Sequence, residues 1–296
     1  MSFLTDANKL YYKKSNWQEC NMSLVQRLKN SWNFLICCIQ FLKKNPDLIV
    51  LPLLSLVAML VMIASLAGAS FFEIDVLLQY YQTNAAILII GLLLFYFLLS
   101  FVILYFNASL ITCVIERMQG NEMTVFHALF STLKRTGPLL QWTFISATVC
   151  ILINALERTH DIVSDILSAI LGFSWAITTY FVLPIMIVED IGPITAFKHS
   201  IKLIGKGWRK LLSANFILFL LLAVIIGLFY LVAYLFKETN QSLPVNIPII
   251  LALLVLGGII SKTFNTIFNC ALYLTISGKP LQGFDKTLLS ELVIKK

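Results

Sequence analysis

The chain has 296 residues, 59% of them hydrophobic and 12% charged, with a mean hydropathy of +0.87 and a net charge of +7. Water-soluble domains run nearer half apolar and a quarter charged, so too little polar surface is left here to cover a globule in water. Disorder, a collagen repeat and a disulfide-stapled secreted scaffold are excluded on the same figures, which leaves a polytopic membrane protein.

In chain order, residues 1–22 are polar and read as an N-terminal segment. A basic amphipathic stretch follows over Leu24–Lys44, with Leu24, Leu28, Trp32, Leu35, Ile39 and Leu42 at helical spacing. A bilayer core about 30 Å thick takes roughly 20 apolar residues in a helix. Leu48–Phe72 is the first stretch that meets this need, and it is too long for the core of a cleavable signal, so it is expected to remain as an anchor. Ala85–Ile115 is the second. A short amphipathic stretch, Val125–Arg135 with Phe126, Leu129, Phe130 and Leu133, precedes the third and fourth, Pro138–Leu156 and Ile162–Val188. Pro184 interrupts the fourth.

Glu189-Asp190 closes the fourth stretch, Gly192 offers a flexible exit, and Pro193 sits where a new helix accepts proline. That helix, Ile194–Lys210, carries Ile194, Phe197, Ile201, Ile204 and Trp208 on one face and Lys198, Lys202 and Lys206 on the other. Leu211–Phe236 and Ile247–Ile276 complete six apolar stretches, and residues 279–296 form a polar tail. Runs so long and uniformly apolar satisfy their backbone as helices, whereas barrel strands would alternate over about ten residues.

Charge sets the orientation. The N-terminal 47 residues, the 116–137 and 189–210 loops and the tail hold 19 Lys/Arg against 9 Asp/Glu. The opposite connections hold 2 Lys/Arg and 6 Asp/Glu. This asymmetry predicts a multi-pass inner-membrane protein with both termini cytoplasmic, a host membrane being the alternative for a chain exported by a pathogen. The positive charge thus reads as a topology signal, and nucleic acid is not an expected partner. Cys20, Cys37 and Cys38 fall on the cytoplasmic side and Cys113, Cys150 and Cys270 within spans, so structural disulfides are not expected. The Cys37-Cys38 pair reads as small apolar residues on a half-buried helix.

The fold expected is all-α: six transmembrane helices and three amphipathic cytoplasmic-surface helices. They form one membrane domain over residues 23–278, built of three parallel units, 23–120, 121–192 and 193–278. Each unit is a surface helix followed by a two-span hairpin. The even spans end alike, in Tyr105-Phe106-Asn107-Ala108, Tyr180-Phe181-Val182-Leu183-Pro184 and Ile267-Phe268-Asn269-Cys270, with Gly120, Gly192 and Gly278 following. Repeats of one orientation differ from the inverted halves of many secondary transporters.

The layout Ser31-Trp32, Pro52-Leu53, Tyr105-Phe106-Asn107-Ala108, then Val188-Glu189-Asp190-Ile191-Gly192-Pro193, Ala196-Phe197-Lys198 and Ser200 resembles a family of uncharacterised bacterial six-span membrane proteins, a domain of unknown function. More loosely it is similar to the membrane domain attached to some glycerophosphodiester phosphodiesterases. The resemblance implies a fold and a bacterial membrane location. It implies no activity, because the phosphodiesterase domain itself is absent from this sequence.

Lys262 is the polar residue that calls most for explanation, since a lysine at the middle of a span costs about 2.5–3.5 kcal/mol on insertion scales and should face protein or a wet cavity. Lys262, Asn265, Thr266, Asn269 and Tyr273 form one helical stripe. Aligning the repeats places Ser100 and Asn107 at the positions of Lys262 and Asn269, and Thr178 at a similar depth in the fourth span. The favoured expectation is a transporter or ligand-binding membrane module for a small anionic or amphipathic molecule, with Lys262, Asn265, Asn269, Asn107, Ser100 and Thr178 along its pathway. The rival is a structural or membrane-organising protein. Its basic surface helices, Lys198, Lys202 and Lys206 among them, would engage anionic phospholipid or a partner protein, and the inner polar groups would only hold spans together.

No enzyme signature is found: His127, His160 and His199 are dispersed, and neither a metal-ligand pair nor a nucleophile elbow or phosphate loop occurs. His160 with Glu157 and Asp161 reads as a solvated turn. No catalytic residue, metal or cofactor is therefore assigned. The tryptophans fall near span boundaries, as interfacial aromatics do.

Overall fold

The computed structural model describes residues 24–72, 74–157, 162–205, 247–279 and 281, and every regular element among them is helical. Helix α1 (Leu24–Lys44) leads through a 3-10 turn at Pro46–Ile49 into α2 (Val50–Phe72), and α3 runs over Ile74–Met118. Then come α4 (Val125–Leu133), α5 (Thr136–Glu157), α6 (Ile162–Thr179) and α7 (Val182–Glu189). Residues 193–205 form α8, and Ile247–Ser277 form α9.

Within these helices four stretches are long and apolar enough to cross a membrane: Pro46–Leu66, Ile89–Met118, Thr136–Glu157 and Val163–Glu189. They coincide with the first four apolar stretches of the sequence and indicate a membrane-embedded protein. The fifth expected span, 211–236, lies outside the described residues, as do the N-terminal segment, Lys206 and most of the tail. Helix α9 covers the sixth stretch. The expected turn between the first two spans is helical from Ile74 on, because no Gly or Pro breaks the segment before Ala85.

The four long stretches pack most closely near the end that carries the basic loops. Leu48, Leu51, Leu110, Val114, Met118, Leu139, Phe181, Ile185, Phe268 and Leu274 are fully or almost fully buried there. Toward the other end, Ile87–Leu94, Val163–Phe173 and Val255–Ile260 leave many large apolar side chains exposed. Exposed apolar surface on this scale has no favourable solvent except lipid or another apolar surface. Four buried threonine hydroxyls are satisfied within their own helices: Thr112, Thr132, Thr143 and Thr263 each donate to the carbonyl four residues back at 2.8–2.9 Å.

The helices ending at Met118, Glu189 and Ser277 are each followed by a residue of positive φ. Gly120 and Gly278 have φ of 91° and 70°, and Asp190 has φ of 51°. After Gly120, the Asn121 N–H reaches the Glu116 carbonyl at 3.0 Å, and after Gly278 the Lys279 N–H reaches the Leu274 carbonyl at the same distance. Both are Schellman closures with glycine in the left-handed position. In the second unit the expected exit at Gly192 is corrected: Asp190 takes the left-handed conformation, while Gly192 accepts the first helical bond of α8, from the Ala196 N–H at 3.0 Å.

Candidate functional site

The polar groups of the described bundle gather at a break in the fourth span. A proline has no N–H, so Pro184 leaves the carbonyl of Tyr180, four residues earlier, without its helical donor. The span accordingly breaks at Tyr180-Phe181, between α6 and α7. Two carbonyls at the break are bound from other helices. Asn269 of α9 donates its side-chain N–H to the Tyr180 carbonyl at 2.9 Å, and Ser200 of α8 donates its hydroxyl to the Thr178 carbonyl at 2.6 Å. The Asn269 Oδ1 is buried without a hydrogen-bond partner.

Two turns nearer the basic end, Glu189 joins the same helices. Its Oε1 accepts from the buried Tyr273 hydroxyl at 3.1 Å, and its Oε2 lies 2.8 Å from His199 Nδ1 on α8. Trp142 of α5 stacks on Trp175 of α6 at 5.9 Å between ring centroids, and Phe197 of α8 lies against both. Trp142 is only 5% exposed, so it and Trp175 form an internal cluster, a correction to the expected interfacial role. Trp32 is exposed as expected, and Trp17 and Trp208 lie outside the described residues.

Two ion pairs tie helix ends together at this end. Arg117, at the end of α3, makes a bidentate contact with Asp47 at 2.6 and 2.8 Å, and also reaches Asn45 Oδ1 at 3.0 Å and the Met123 carbonyl at 2.8 Å. Arg135, just before α5, pairs through Nε with Asp190 at 2.9 Å. The staple between Asp47 and Arg117 thus recurs between Arg135 and Asp190 with its polarity reversed. Glu116 is bound locally by Asn121 at 2.7 Å. Beside the second staple lies a cavity of about 250 Å3, bordered by Thr132, Lys134, Arg135, Met186 and the loop 190–192.

The short amphipathic helices meet the bundle through particular faces. In α4 the buried residues are Val125, Ala128 and Thr132, whereas Phe126, Phe130 and Leu133 are 69%, 67% and 52% exposed. In α8 Ala196 and Ser200 are buried, while Ile194 and Ile201 are exposed. In α1 Phe34, Leu35, Cys37, Cys38 and Phe41 are buried, and Trp32 and Ile39 are exposed. Small residues spaced four apart allow close backbone approach, and this packing decides which face turns inward. The pairs Ala128/Thr132 and Ala196/Ser200 are the sequence signal that could have found it. Cys37 and Cys38 are buried, in keeping with their reading as small apolar residues.

Of the expected pathway residues, Lys262 and Asn107 are brought to one place, and Ser100, Thr178 and Asn269 are engaged elsewhere. Lys262 and Asn107 border one crevice with Pro52 and Ser55, of about 10 Å3, which is barely room for a single water. Lys262 and Asn265 are exposed, whereas Asn269 is engaged at the break. Ser100 donates to the Tyr96 carbonyl at 2.8 Å, and the Thr178 hydroxyl donates to the Ser174 carbonyl at 2.8 Å. Lys198 and Lys202 are exposed on α8. Tyr273 was placed on the polar stripe by the sequence, but its link to Glu189 was not foreseen.

Residues 85–281, about two thirds of the chain, match the family of unknown function DUF6159, and the chain belongs to that family. The match agrees with the expected uncharacterised family. It carries nothing for the phosphodiesterase membrane domain or for a bacterial source. No curated protein matches the chain.

Proposed function

We propose that this member of a family without assigned function is a non-enzymatic, membrane-organising protein that engages anionic phospholipid along one leaflet. The supporting observation is the docking of α4 and α8: each meets the bundle through small residues and turns large apolar residues outward, beside lysines. A helix so divided suits the boundary between headgroups and acyl chains, where its apolar face enters the membrane and its cations meet phosphate. On this reading three units face the cytoplasm with their surface helices, both termini lie there, and the six expected spans anchor them in an inner membrane. Lys198, Lys202 and Lys206 supply the lipid-facing charge, and Asn269, Ser200 and the inner Thr residues join helices together.

The test is thermal unfolding of the full chain in nanodiscs of graded anionic-lipid content. Replacing Lys198, Lys202 and Lys206 together by Gln should remove about 1 kcal/mol of anionic-lipid stabilisation per lysine. An unchanged response in the triple variant refutes the role given to α8.

A transport role would have to run through the crevice that Lys262 and Asn107 share. It requires a solute flux or binding signal in reconstituted protein that disappears in Lys262→Met.

A further inference from the structure

We infer that the cavity beside the Arg135–Asp190 staple is a binding site for a phosphate ester of net negative charge. This deepens the lipid-engaging reading and rests on it, by giving the headgroup a defined seat away from the lysines of α8.

The space, about 250 Å3, is several times the roughly 30 Å3 share of a water molecule in the liquid. Its charged lining is two cations, Lys134 and Arg135, against one carboxylate, Asp190. That carboxylate is already engaged, because the Arg135 Nε holds Asp190 Oδ1 at 2.9 Å. Only the Nε edge of the guanidinium is used, so its Nη groups keep their donors, and Lys134 has no ion-pair partner among the described residues. A guanidinium edge and a neighbouring ammonium make a favourable pair for phosphate oxygens, the first by its planar fork and the second as a mobile point charge.

The buried apolar side chains Leu139, Met186 and Ile187 also border the cavity. Leu133 directly precedes Lys134, and with Phe130 and Phe126 it continues an exposed apolar strip along α4. A phospholipid would set its phosphate at Lys134 and Arg135 and its chains along that strip. A soluble phosphate ester shares the first contact and lacks the second.

The experiment uses the full chain in phosphatidylcholine nanodiscs. One arm grades in phosphatidylglycerol, the other adds glycerol 3-phosphate to the solution, and unfolding temperature is read in both. Lys134→Gln should weaken the apparent affinity about fivefold, and Lys134→Arg should restore it. A Lys134-dependent response in the lipid arm alone supports a lipid headgroup. The same dependence in the soluble arm supports the site with a free ester as its ligand. Equal responses of wild type and Lys134→Gln, or no response of wild type in either arm, overturn the inference. If the triple Lys198, Lys202 and Lys206 variant loses its lipid response while Lys134→Gln keeps it, this site falls and the α8 reading stands; the opposite pattern does the reverse.

Discussion

Asn269 donates its side-chain N–H to the main-chain carbonyl of Tyr180 at 2.9 Å, across 89 residues of sequence. The acceptor exists because Pro184 cannot serve it, so one imino acid in the fourth span creates the demand that an amide in the last described helix meets. In a bilayer interior, where no water can bond a freed carbonyl, such a contact should be among the stronger helix-to-helix links.

Asn269→Leu should therefore destabilise the protein by about 1–3 kcal/mol, the range for leaving a buried acceptor unpaired. The double variant with Pro184→Ala separates this cause from packing, because alanine restores a local N–H. The Asn269→Leu penalty should shrink in that background when unfolding is followed in detergent. Equal penalties in both backgrounds would mean that Pro184 does not govern the contact.

The two staples should differ in weight. Arg117 is largely buried and bonds Asp47, Asn45 and the Met123 carbonyl, whereas Arg135 makes a single contact with an Asp190 side chain that is 78% exposed. Arg117→Met is expected to cost about 2–3 kcal/mol, since it strands several acceptors, and Arg135→Met under about 1 kcal/mol, as for solvated pairs. Chemical denaturation of the two variants side by side checks the order.

Glycine is needed at two of the three helix exits with positive φ. Gly120→Ala and Gly278→Ala should each cost about 1–2 kcal/mol, because a Cβ is disfavoured at their positive φ. Nothing lies within 4 Å of a Cβ built at Gly278, so the cost there is conformational and not steric. Gly192→Ala should be nearly neutral. Melting temperatures that fall equally in all three would contradict the left-handed assignment.

Tyr273→Phe removes the hydroxyl from Glu189 while keeping the ring against Phe181. Bonds to charged acceptors contribute about 1.5–3 kcal/mol, and partial exposure of Glu189 places the expected loss at the low end. If the Glu189 cluster ties α8 to α9, hydrogen exchange should rise in residues 193–205 in this variant. A change confined to α9 would argue against that coupling.

If α9 spans the membrane, Lys262→Met should leave folding and assembly intact and ease its insertion, by up to the ~2.5–3.5 kcal/mol that a mid-span lysine costs. Glycosylation mapping of that span, with and without the substitution, measures the gain. A loss of assembly would assign the amine a structural partner.

Much was legible along the chain. Hydropathy located the first four membrane-length stretches, and the amphipathic stretches read at Leu24–Lys44, Val125–Arg135 and Ile194–Lys210 are helical over Leu24–Lys44, Val125–Leu133 and, among the described residues, 193–205. These are properties of consecutive residues: length against bilayer thickness, periodicity, and the intolerance of helices for proline. Pro184 marked a break, though its mate could not be read, because the donor lies 85 residues away and any Asn, Ser or Tyr on several helices could have served.

What the amino-acid order determined by itself was which segments prefer lipid and where helices start and stop, since both follow from local transfer energies and backbone sterics. The tertiary structure alone decided which faces meet. It turned Ala128 and Ala196 inward and Phe130 outward, gave the left-handed exit to Asp190, bound Asn269 to Tyr180, and left Lys262 and Asn265 exposed. A helix with two apolar faces has no local preference between them; the choice falls to whichever face lets backbones approach most closely, and that depends on neighbours far away in the chain.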